Sequence, residues 1–223
     1  MRTSAVSAAE MPVLAMSVTN MTSSSLRPSG ISAAETADVR IGDSVVVYAQ
    51  GPIGLCATAG ARLKGAALII GVDSNPTRLA MAKRMGADEV IDFTQEDPVA
   101  RVKALTEGRG ADVAIEALGI QETFEICLAS VRPDGVVSSL GVYGDKVSIP
   151  LEGFVYGIGD IDIRTTLCPG GKERMRALME MVRTGRLDLK QLITHRFALE
   201  DIEEAYPLFS NQEDDVIKVA ITP

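Results

Sequence analysis

Residues 43–54 of the chain are DSVVVYAQGPIG, and this stretch decides the fold. Its apolar, β-branched part predicts a buried parallel strand, which breaks at a turn with two glycines. Residues 55–63 then carry apolar side chains at helical spacing, and a second apolar run, 67–72, ends at Asp73. Strand, turn, helix, strand and acid follow one another within about thirty residues, which predicts a βαβ unit of a parallel sheet.

The turn and the acid predict a dinucleotide site. Gly51 lacks a side chain, so the backbone can approach a pyrophosphate, and Gly54 allows close packing of the helix on the strand. The helix that begins at Pro52 and Ile53 offers unpaired N–H groups to phosphates, at a position where the missing N–H of proline costs nothing. Asp73 would accept hydrogen bonds from the adenosine ribose and repel a 2′-phosphate, which favours NAD over NADP.

One glycine of the dinucleotide fingerprint is replaced. Ala49 stands at the first position, where we expect a tight turn with negative φ that tolerates a methyl group. Neither Ser74 nor Asn75 supplies a cation for a 2′-phosphate. The alternative at this point is a glycine turn in another doubly wound domain, such as a methyltransferase-like one.

The composition of the chain argues against several classes of partner and location. The chain has 223 residues, 46% of them hydrophobic, and a formal net charge of −8, which argues against nucleic acid or an anionic membrane as a partner. No apolar run approaches the ~20 residues of a membrane helix. Cys56, Cys127 and Cys168 are far apart and odd in number, which suits a reducing compartment and predicts a cytoplasmic protein. Residues 1–28, rich in Ser, Thr, Met and Ala, are predicted to be a flexible leader.

Strand and helix patterns alternate five times without a break. They predict an α/β fold with a doubly wound parallel Rossmann sheet and right-handed crossovers. Ligands on such a sheet lie beyond the carboxyl ends of the strands, where Gly51, Asp73, Leu118 and Gly141 fall. The predicted strands are 43–48, 67–72, 89–93, 111–116 and 136–142, the last after a turn at 132–135. The predicted helices are 32–37, 52–63, 76–85, 97–105 and 121–130.

The regular alternation of strand and helix patterns ends after residue 145. A sixth strand is predicted at 161–166, and the helix 172–183 carries an apolar stripe that we expect in the core. An extended segment at 193–197, a helix at 199–209 and a closing strand at 216–221 complete the chain. We divide it into the leader 1–28, a nucleotide-binding domain 29–166 and a C-terminal segment 167–223. The stripe consists of Met175, Leu178, Met179 and Val182.

Seven segments together resemble a known family. The match is to the nucleotide-binding half of the zinc-dependent medium-chain alcohol dehydrogenases, especially their bacterial secondary-alcohol branch. The resemblance implies an NAD-dependent oxidoreductase that passes hydride between a secondary alcohol or ketone and NAD. It also implies a homo-oligomer formed through the edge strand near Ile161–Thr165. The segments are IGDSVVVYAQGPIGL, IIGVDSNPTRLAMAKRMGAD, DVAIEALG, RPDGVVSSLGVYG, LCPGGKERM, LITHRFALEDIEEAY and IKVAI.

The resemblance assigns cofactor contacts. Gly51 to Gly54 match the pyrophosphate loop, and Asp73 matches the ribose-binding acid. Arg78 matches a basic residue at the same ribose, and Lys218 one that reaches the pyrophosphate. The ordinary alternatives are solvated charges for Arg78 and Lys218, and a core side chain for Leu118. The remaining assignments are Leu118 on the adenine side, and Leu140, Gly141 and Val142 as backbone partners of the nicotinamide carboxamide.

The zinc ligands of the family have no match here. Full-length members place a catalytic domain before this point, and the position of its last zinc-binding acid falls near Ser25. His195 is the single histidine of the chain, and we expect it in a core or turn role. Since a zinc site needs three converging ligands, we expect no catalytic zinc and no independent turnover.

Three readings of the chain stay open at this point. The chain would be a truncated or mis-started gene product, a non-catalytic NAD-binding or interaction module, or an adenosylmethionine-dependent transferase. The LCPGG and LITH segments do not fit the transferase. In the family, the segments 193–197 and 216–221 pack on the catalytic domain's sheet. Without that sheet we expect exposed apolar edges there, prone to pairing.

Overall fold

The computed structural model describes residues 29–150, 159–166 and 171–223. The predicted leader and Cys168 lie outside these residues. The strands are β1 Ser44–Tyr48, β2 Leu68–Asp73, β3 Glu89–Asp92, β4 Ala111–Glu116, β5 Val131–Ser139, β6 Asp162–Thr165, β7 Ile193–Ala198 and β8 Lys218–Thr222. The α-helices are α1 Ser29–Thr36, α2 Pro52–Lys64, α3 Pro76–Met85, α4 Pro98–Leu105, α5 Gln121–Ser130, α6 Lys172–Arg183 and α7 Ile202–Ser210. Short 3₁₀ turns at Lys190–Leu192 and Leu199–Asp201 flank β7.

Six parallel strands form the main sheet. Their order is β3-β2-β1-β4-β5-β6, so the chain winds outward from β1 to one edge and then from β4 to the other. The pairs Val45↔Ile69 and Val45↔Val113 fix the register on both sides of β1. This arrangement confirms the doubly wound α/β fold. The reversal between β1 and β4 places a crevice at their carboxyl ends, where ligands bind in such sheets.

Capping residues mark the boundaries of α3 and α4. Asn75 caps α3, because its side-chain oxygen accepts hydrogen bonds from the N–H groups of Thr77 and Arg78 at 2.8 and 3.1 Å. Gly86 ends the same helix with φ of 115°, a left-handed conformation suited to glycine. Asp97 caps α4 in the same way as Asn75 caps α3. Both helices therefore begin after a residue whose side chain caps their first turn.

Helix α1 is a core element. It begins at Ser29 and ends at Thr36, three residues earlier at its start than the sequence predicted. Ala33 and Ala34 are fully buried, and α1 crosses α2 closely at Gly30. A Cβ atom added to Gly30 would lie 2.1 Å from the carbonyl oxygen of Ile53, so only glycine fits there. The first helix therefore supports the start of α2.

Strand β5 differs from its prediction. The residues 132–135, expected to form a turn, lie inside the strand, and its pairing with β4 shifts between Ala111↔Val131 and Val113↔Val136. Asp134 has a φ of 59°, so the turn-forming sequence makes a strand irregularity. The strand ends at Ser139, which leaves the predicted strand residues 140–142 as backbone beyond the sheet.

The C-terminal segment shares the core of the main sheet. Leu187, Leu192 and Ile217 are buried in the same apolar cluster as Val45 and Val47 of β1. Strands β7 and β8 pair in parallel as a separate two-stranded sheet. The expected exposed apolar edge at 216–221 is wrong for three of its residues, because their side chains are buried and one of them, Ile217, belongs to this apolar cluster. They are Val216, Ile217 and Ile221.

The apolar stripe of α6 packs on the core but is only partly buried. Leu178, Met181 and Val182 pack on the main cluster, but no residue of α6 is fully buried. Met175 and Met179 are half-buried. Two of the four stripe residues, Leu178 and Val182, therefore pack on the core as expected. Arg174 also connects α6 to α1, through hydrogen bonds to Ser32 and Glu35.

Candidate dinucleotide site

The turn from β1 into α2 requires glycine for two different reasons. A Cβ atom at Gly54 would lie 1.8 Å from the carbonyl oxygen of Ala49, so this position is sterically closed. A Cβ atom at Gly51 would meet nothing within 4 Å, so this position faces open space. Gly51 is the residue before Pro52 at the start of α2, where backbone N–H groups lack helical partners. The turn thus leaves open space beside a helix N-terminus.

Ala49 has a left-handed backbone. Its φ is 69°, so the expectation of a negative φ is wrong. The chain must reverse sharply into α2 while the Ala49 N–H bonds to the Val72 carbonyl at 3.0 Å. A left-handed alanine costs about 1–2 kcal/mol relative to the right-handed region. The turn therefore demands the glycine that the fingerprint places there, and alanine occupies the position under strain.

Asp73 ties two strand ends together. Its side chain is 6% exposed and accepts a hydrogen bond from the Gln50 N–H at 2.7 Å. It also accepts bonds from the N–H groups of Ser74 and Asn75 at 2.8 and 2.9 Å. A carboxylate offers about four acceptor positions, so about one is left for a ligand. The acid predicted for the ribose therefore also holds the turn in shape, which the sequence pattern did not reveal.

Arg78 carries an unsatisfied donor. It lies in the first turn of α3, immediately after the Asp73–Asn75 turn. Its Nε atom is buried and has no hydrogen-bond partner among the described residues. A buried unpaired donor costs free energy, so the position fits an acceptor supplied by a ligand.

Lys218 reaches the start of α2 from β8. Its side chain lies near the thiol of Cys56, the fifth residue of α2. Burial lowers the pKa of Lys218, and burial raises the pKa of Cys56 to about 11. Within the described residues no carboxylate pairs with this ammonium. The C-terminal strand thus places a half-buried cation, which has no ion-pair partner among the described residues, near helix α2.

The loops after β4 and β5 contact each other. A Cβ atom at Gly141 would lie 2.2 Å from the Cα of Gly119, and one at Gly119 would lie 2.7 Å from the Val142 nitrogen. Leu140 is buried, whereas Leu118 and Val142 are 44% and 60% exposed. The core alternative for Leu118 is therefore wrong. The structure brings together two exposed apolar side chains at the carboxyl edge of the sheet.

Glu116 is a buried acid that the sequence analysis did not single out as a site residue. It ends β4 and is completely buried. Three backbone N–H groups and three hydroxyls surround its carboxylate, from Leu118, Gly119, Thr123, Ser139, Gly141 and Tyr143. Burial raises the pKa of Tyr143, which keeps its hydroxyl protonated as a donor. The available signal was an acid at the end of an otherwise apolar strand.

The described residues do not fit a catalytic zinc. Across 29–150, 159–166 and 171–223, no group of three or more His, Cys, Asp or Glu is placed to hold a metal ion. His195 bonds through its two ring nitrogens to Thr194 and Asp214, at 2.9 and 3.1 Å. Cys56 and Cys127 are buried on different helices. None of the helices in the described ranges has the length and apolar character to cross a membrane.

Comparison with known proteins decides the family. A sequence model described as zinc-binding dehydrogenase matches residues 52–184, which begin directly after Gly51 and include Gly54, Asp73, Arg78 and the loops after β4 and β5. The chain belongs to the zinc-binding dehydrogenase family. The resemblance found from the sequence motifs is thereby confirmed, and the methyltransferase-like and transferase alternatives are excluded.

Relatives and solved structures extend this family assignment. An alcohol dehydrogenase of Cupriavidus necator is 56% identical over 194 residues, which are 87% of this chain and 53% of that protein. An NADP-dependent isopropanol dehydrogenase of Clostridium beijerinckii is 38% identical, over 86% of this chain and 56% of the relative. The structure of alcohol dehydrogenase TADH from Thermus sp. ATN1 aligns with a TM-score of 0.80 at 31% identity, over 90% of this chain and 57% of its own. The chain spans about half the length of the relatives it matches.

Proposed function

We propose that this chain is the NAD-binding part of an alcohol dehydrogenase-type oxidoreductase, which transfers hydride between a secondary alcohol or ketone and NAD. The observation that carries the proposal is the open position at Gly51, set at a helix N-terminus and directly after Gln50, whose N–H binds Asp73. A side-chain-free approach, unpaired N–H groups and an unpaired ammonium together suit a pyrophosphate. In this arrangement Gly51 to Gly54 and Lys218 bind the two phosphates.

The adenosine end falls at Asp73 and Arg78. The remaining acceptor position of Asp73 takes a ribose hydroxyl, and the orphaned Nε of Arg78 donates to an oxygen of the same ribose. NAD is favoured over NADP because a buried carboxylate repels a 2′-phosphate. A relative at 38% identity is named as NADP-dependent, so the two cofactors must be compared directly.

The nicotinamide end falls at the loops after β4 and β5. Leu118 and Val142 present apolar side chains there, and the backbone at Leu140, Gly141 and Val142 binds the carboxamide. When bound, the cofactor supplies the carbon that accepts or gives up hydride. The described residues contribute binding and orientation, and no chemical step is assigned to a metal because they do not fit one.

The domain division and assembly belong to the same proposal. Residues 29–166 are the nucleotide-binding domain, and 167–223, which contribute Lys218 to the phosphate contacts, are the C-terminal segment of a catalytic domain. Strand β6 is the edge of the main sheet and exposes Ile163, which suits a homo-oligomer formed through this edge, in the cytoplasm. The second candidate function is a non-catalytic NAD-binding module. It is favoured by the lack of a metal-ligand cluster among the described residues.

Thermal unfolding with added ligands tests the cofactor proposal. We expect the melting temperature of the chain to rise with NAD, and to rise less with NADP at the same concentration, because ligand binding to the native state stabilises it. An unchanged melting temperature with both would contradict the proposal. Turnover of a secondary alcohol with NAD and added zinc separates the two candidates: activity supports the oxidoreductase, and cofactor binding without activity supports the binding module.

A further inference from the structure

The Glu116 carboxylate connects two loops at the carboxyl edge of the sheet. Asp and Glu are almost never fully buried unless paired, yet no cation pairs with Glu116 in the part of the chain that the structure describes. Hydrogen bonds to its two oxygens stabilise the carboxylate in place of a cation. Oε1 accepts from the Leu118 N–H, the Gly119 N–H and the Thr123 hydroxyl at 2.8, 2.7 and 2.8 Å. Oε2 accepts from the Ser139 hydroxyl, the Gly141 N–H and the Tyr143 hydroxyl at 3.3, 3.2 and 2.9 Å.

Each carboxylate oxygen holds one loop. Oε1 binds the loop after β4 and the first turn of α5, and Oε2 binds the chain beyond β5. The backbone carbonyl of Glu116 also accepts the Leu140 N–H at 2.9 Å. Glu116 therefore holds two of the three N–H groups in the run Leu140–Val142. In the described part of the chain, no hydrogen bond occupies the third, that of Val142.

Close packing makes the arrangement rigid. Gly119 and Gly141 leave no room for a Cβ atom between the two loops. The side chains of Leu118 and Val142 flank this contact and remain largely exposed. A backbone that is fixed before the ligand arrives loses less entropy on binding, so a rigid loop pair raises affinity without touching the ligand.

We propose that Glu116 is a positioning residue for the nicotinamide end of the cofactor. It fixes the Leu140–Val142 backbone against the Leu118–Gly119 loop, in the geometry that receives the carboxamide. The inference rests on the proposed function, because it assigns the nicotinamide to these loops. It predicts that Glu116 affects ligands with a nicotinamide and has little effect on ligands without one.

The variant Glu116→Gln isolates this role. With Oε1 kept in place, the loop after β4 retains its acceptor, and the new amide nitrogen faces the donors of Oε2. The hydroxyls of Ser139 and Tyr143 can rotate to accept from it. The Gly141 N–H can only donate, so it alone loses its partner. The substitution therefore loosens the backbone predicted to hold the carboxamide and spares the glycine turn at Gly51.

Calorimetric titration with NAD and with ADP-ribose tests the inference. ADP-ribose has both phosphates and both riboses but no nicotinamide. We expect Glu116→Gln to weaken NAD binding about tenfold, the effect of one lost hydrogen bond, and to leave ADP-ribose affinity within about twofold. The matched control Glu122→Gln alters an exposed acid of α5 and should change neither affinity. Equal losses for both ligands, or no loss for either, would overturn the inference.

A second variant covers the case in which Glu116→Gln does not fold. Tyr143→Phe removes one hydroxyl from Oε2 and keeps the carboxylate. We expect a loss of NAD affinity of about threefold, with ADP-ribose affinity unchanged. An unchanged ratio of the two affinities overturns the positioning role. If the unsubstituted chain binds neither NAD nor ADP-ribose, both the proposed function and this inference are refuted. If it binds both ligands and the two variants bind them with unchanged affinities, this inference alone is refuted.

Discussion

The Asp73 carboxylate accepts a hydrogen bond from the backbone N–H of Gln50 at 2.7 Å, and this contact joins the carboxyl ends of β2 and β1. The glycine turn follows directly after Gln50, so the position of the predicted pyrophosphate loop depends on the predicted ribose acid. The two ends of the proposed adenosine diphosphate site are therefore joined by a hydrogen bond of the protein itself.

Replacing the acid should therefore affect both stability and binding. In Asp73→Asn, an amide N–H₂ replaces one acceptor oxygen and leaves a backbone N–H unpaired. We expect the free energy of unfolding to fall by about 1–2 kcal/mol, and NAD affinity to fall more than NADP affinity. Urea unfolding and calorimetry measure the two effects. Asp92→Asn is the matched control, because Asp92 ends the neighbouring strand β3 but its side chain, among the described residues, accepts hydrogen bonds from Thr94 alone, and it should leave cofactor affinity unchanged.

The two glycines of the turn should respond differently to one methyl group. We expect Gly54→Ala to destabilise the fold by about 3 kcal/mol or more, because its Cβ would overlap the Ala49 carbonyl oxygen. Gly51→Ala should leave the free energy of unfolding within about 0.5 kcal/mol, because its Cβ meets no protein atom. Similar losses for both in denaturant unfolding would contradict the described turn geometry.

Restoring glycine at position 49 should stabilise the chain. Ala49→Gly removes the strain of a left-handed alanine, which outweighs the added flexibility of the unfolded chain, and we expect a gain of about 1 kcal/mol. Ala100→Gly, at an exposed position in α4, is the control with the opposite sign and should lose about 0.5–1 kcal/mol. A loss of stability in Ala49→Gly would show that the backbone at this position is not left-handed.

Asp112 should make stability depend on pH in the acid range. Burial alone would raise its pKa, but hydrogen bonds from Ser44 and Arg132 outweigh burial and lower the pKa to about 2. A carboxyl with a lowered pKa in the folded state stabilises the fold above the unfolded-state pKa of about 3.9. We expect about 1–2 kcal/mol to be lost as the pH falls from about 4 to about 2, after allowing for partial exposure.

Unfolding curves of Asp112→Asn at several pH values measure this contribution. The variant should be less stable than the unsubstituted chain at pH 6, and the difference should shrink as the pH approaches 2. Glu122→Gln, which alters an exposed acid, should keep the full pH dependence. A constant difference between Asp112→Asn and the unsubstituted chain across this range would contradict the assignment.

Local patterns predicted most of the fold. The alternation of apolar strands with capped helices fixed the sheet, since proline after Asn75 and Asp97 marks helix starts and Gly86 marks a helix end. Strand β5 was predicted less well, because its turn-forming residues are held in the sheet by pairing with β4. Pairing between distant strands overrides the local preference of a Pro-Asp-Gly sequence.

The candidate site was predictable only where a motif is local. Gly51, Gly54 and Asp73 could be identified because their spacing along the chain is regular. Glu116 could not, because its partners lie up to 27 residues away and converge only when β4 and β5 are adjacent. The φ of Ala49 was also missed, since the replacement of a glycine suggested a relaxed turn where the structure has a strained one.

The most direct test of the central claim is calorimetric titration of NAD into the unsubstituted chain and into Gly51→Ala. We expect one NAD per chain for the unsubstituted protein, and at least tenfold weaker binding for the variant at unchanged stability, because the added methyl would occupy the space proposed for the pyrophosphate. Absence of binding heat with the unsubstituted chain, or equal affinities for the two proteins, would contradict it.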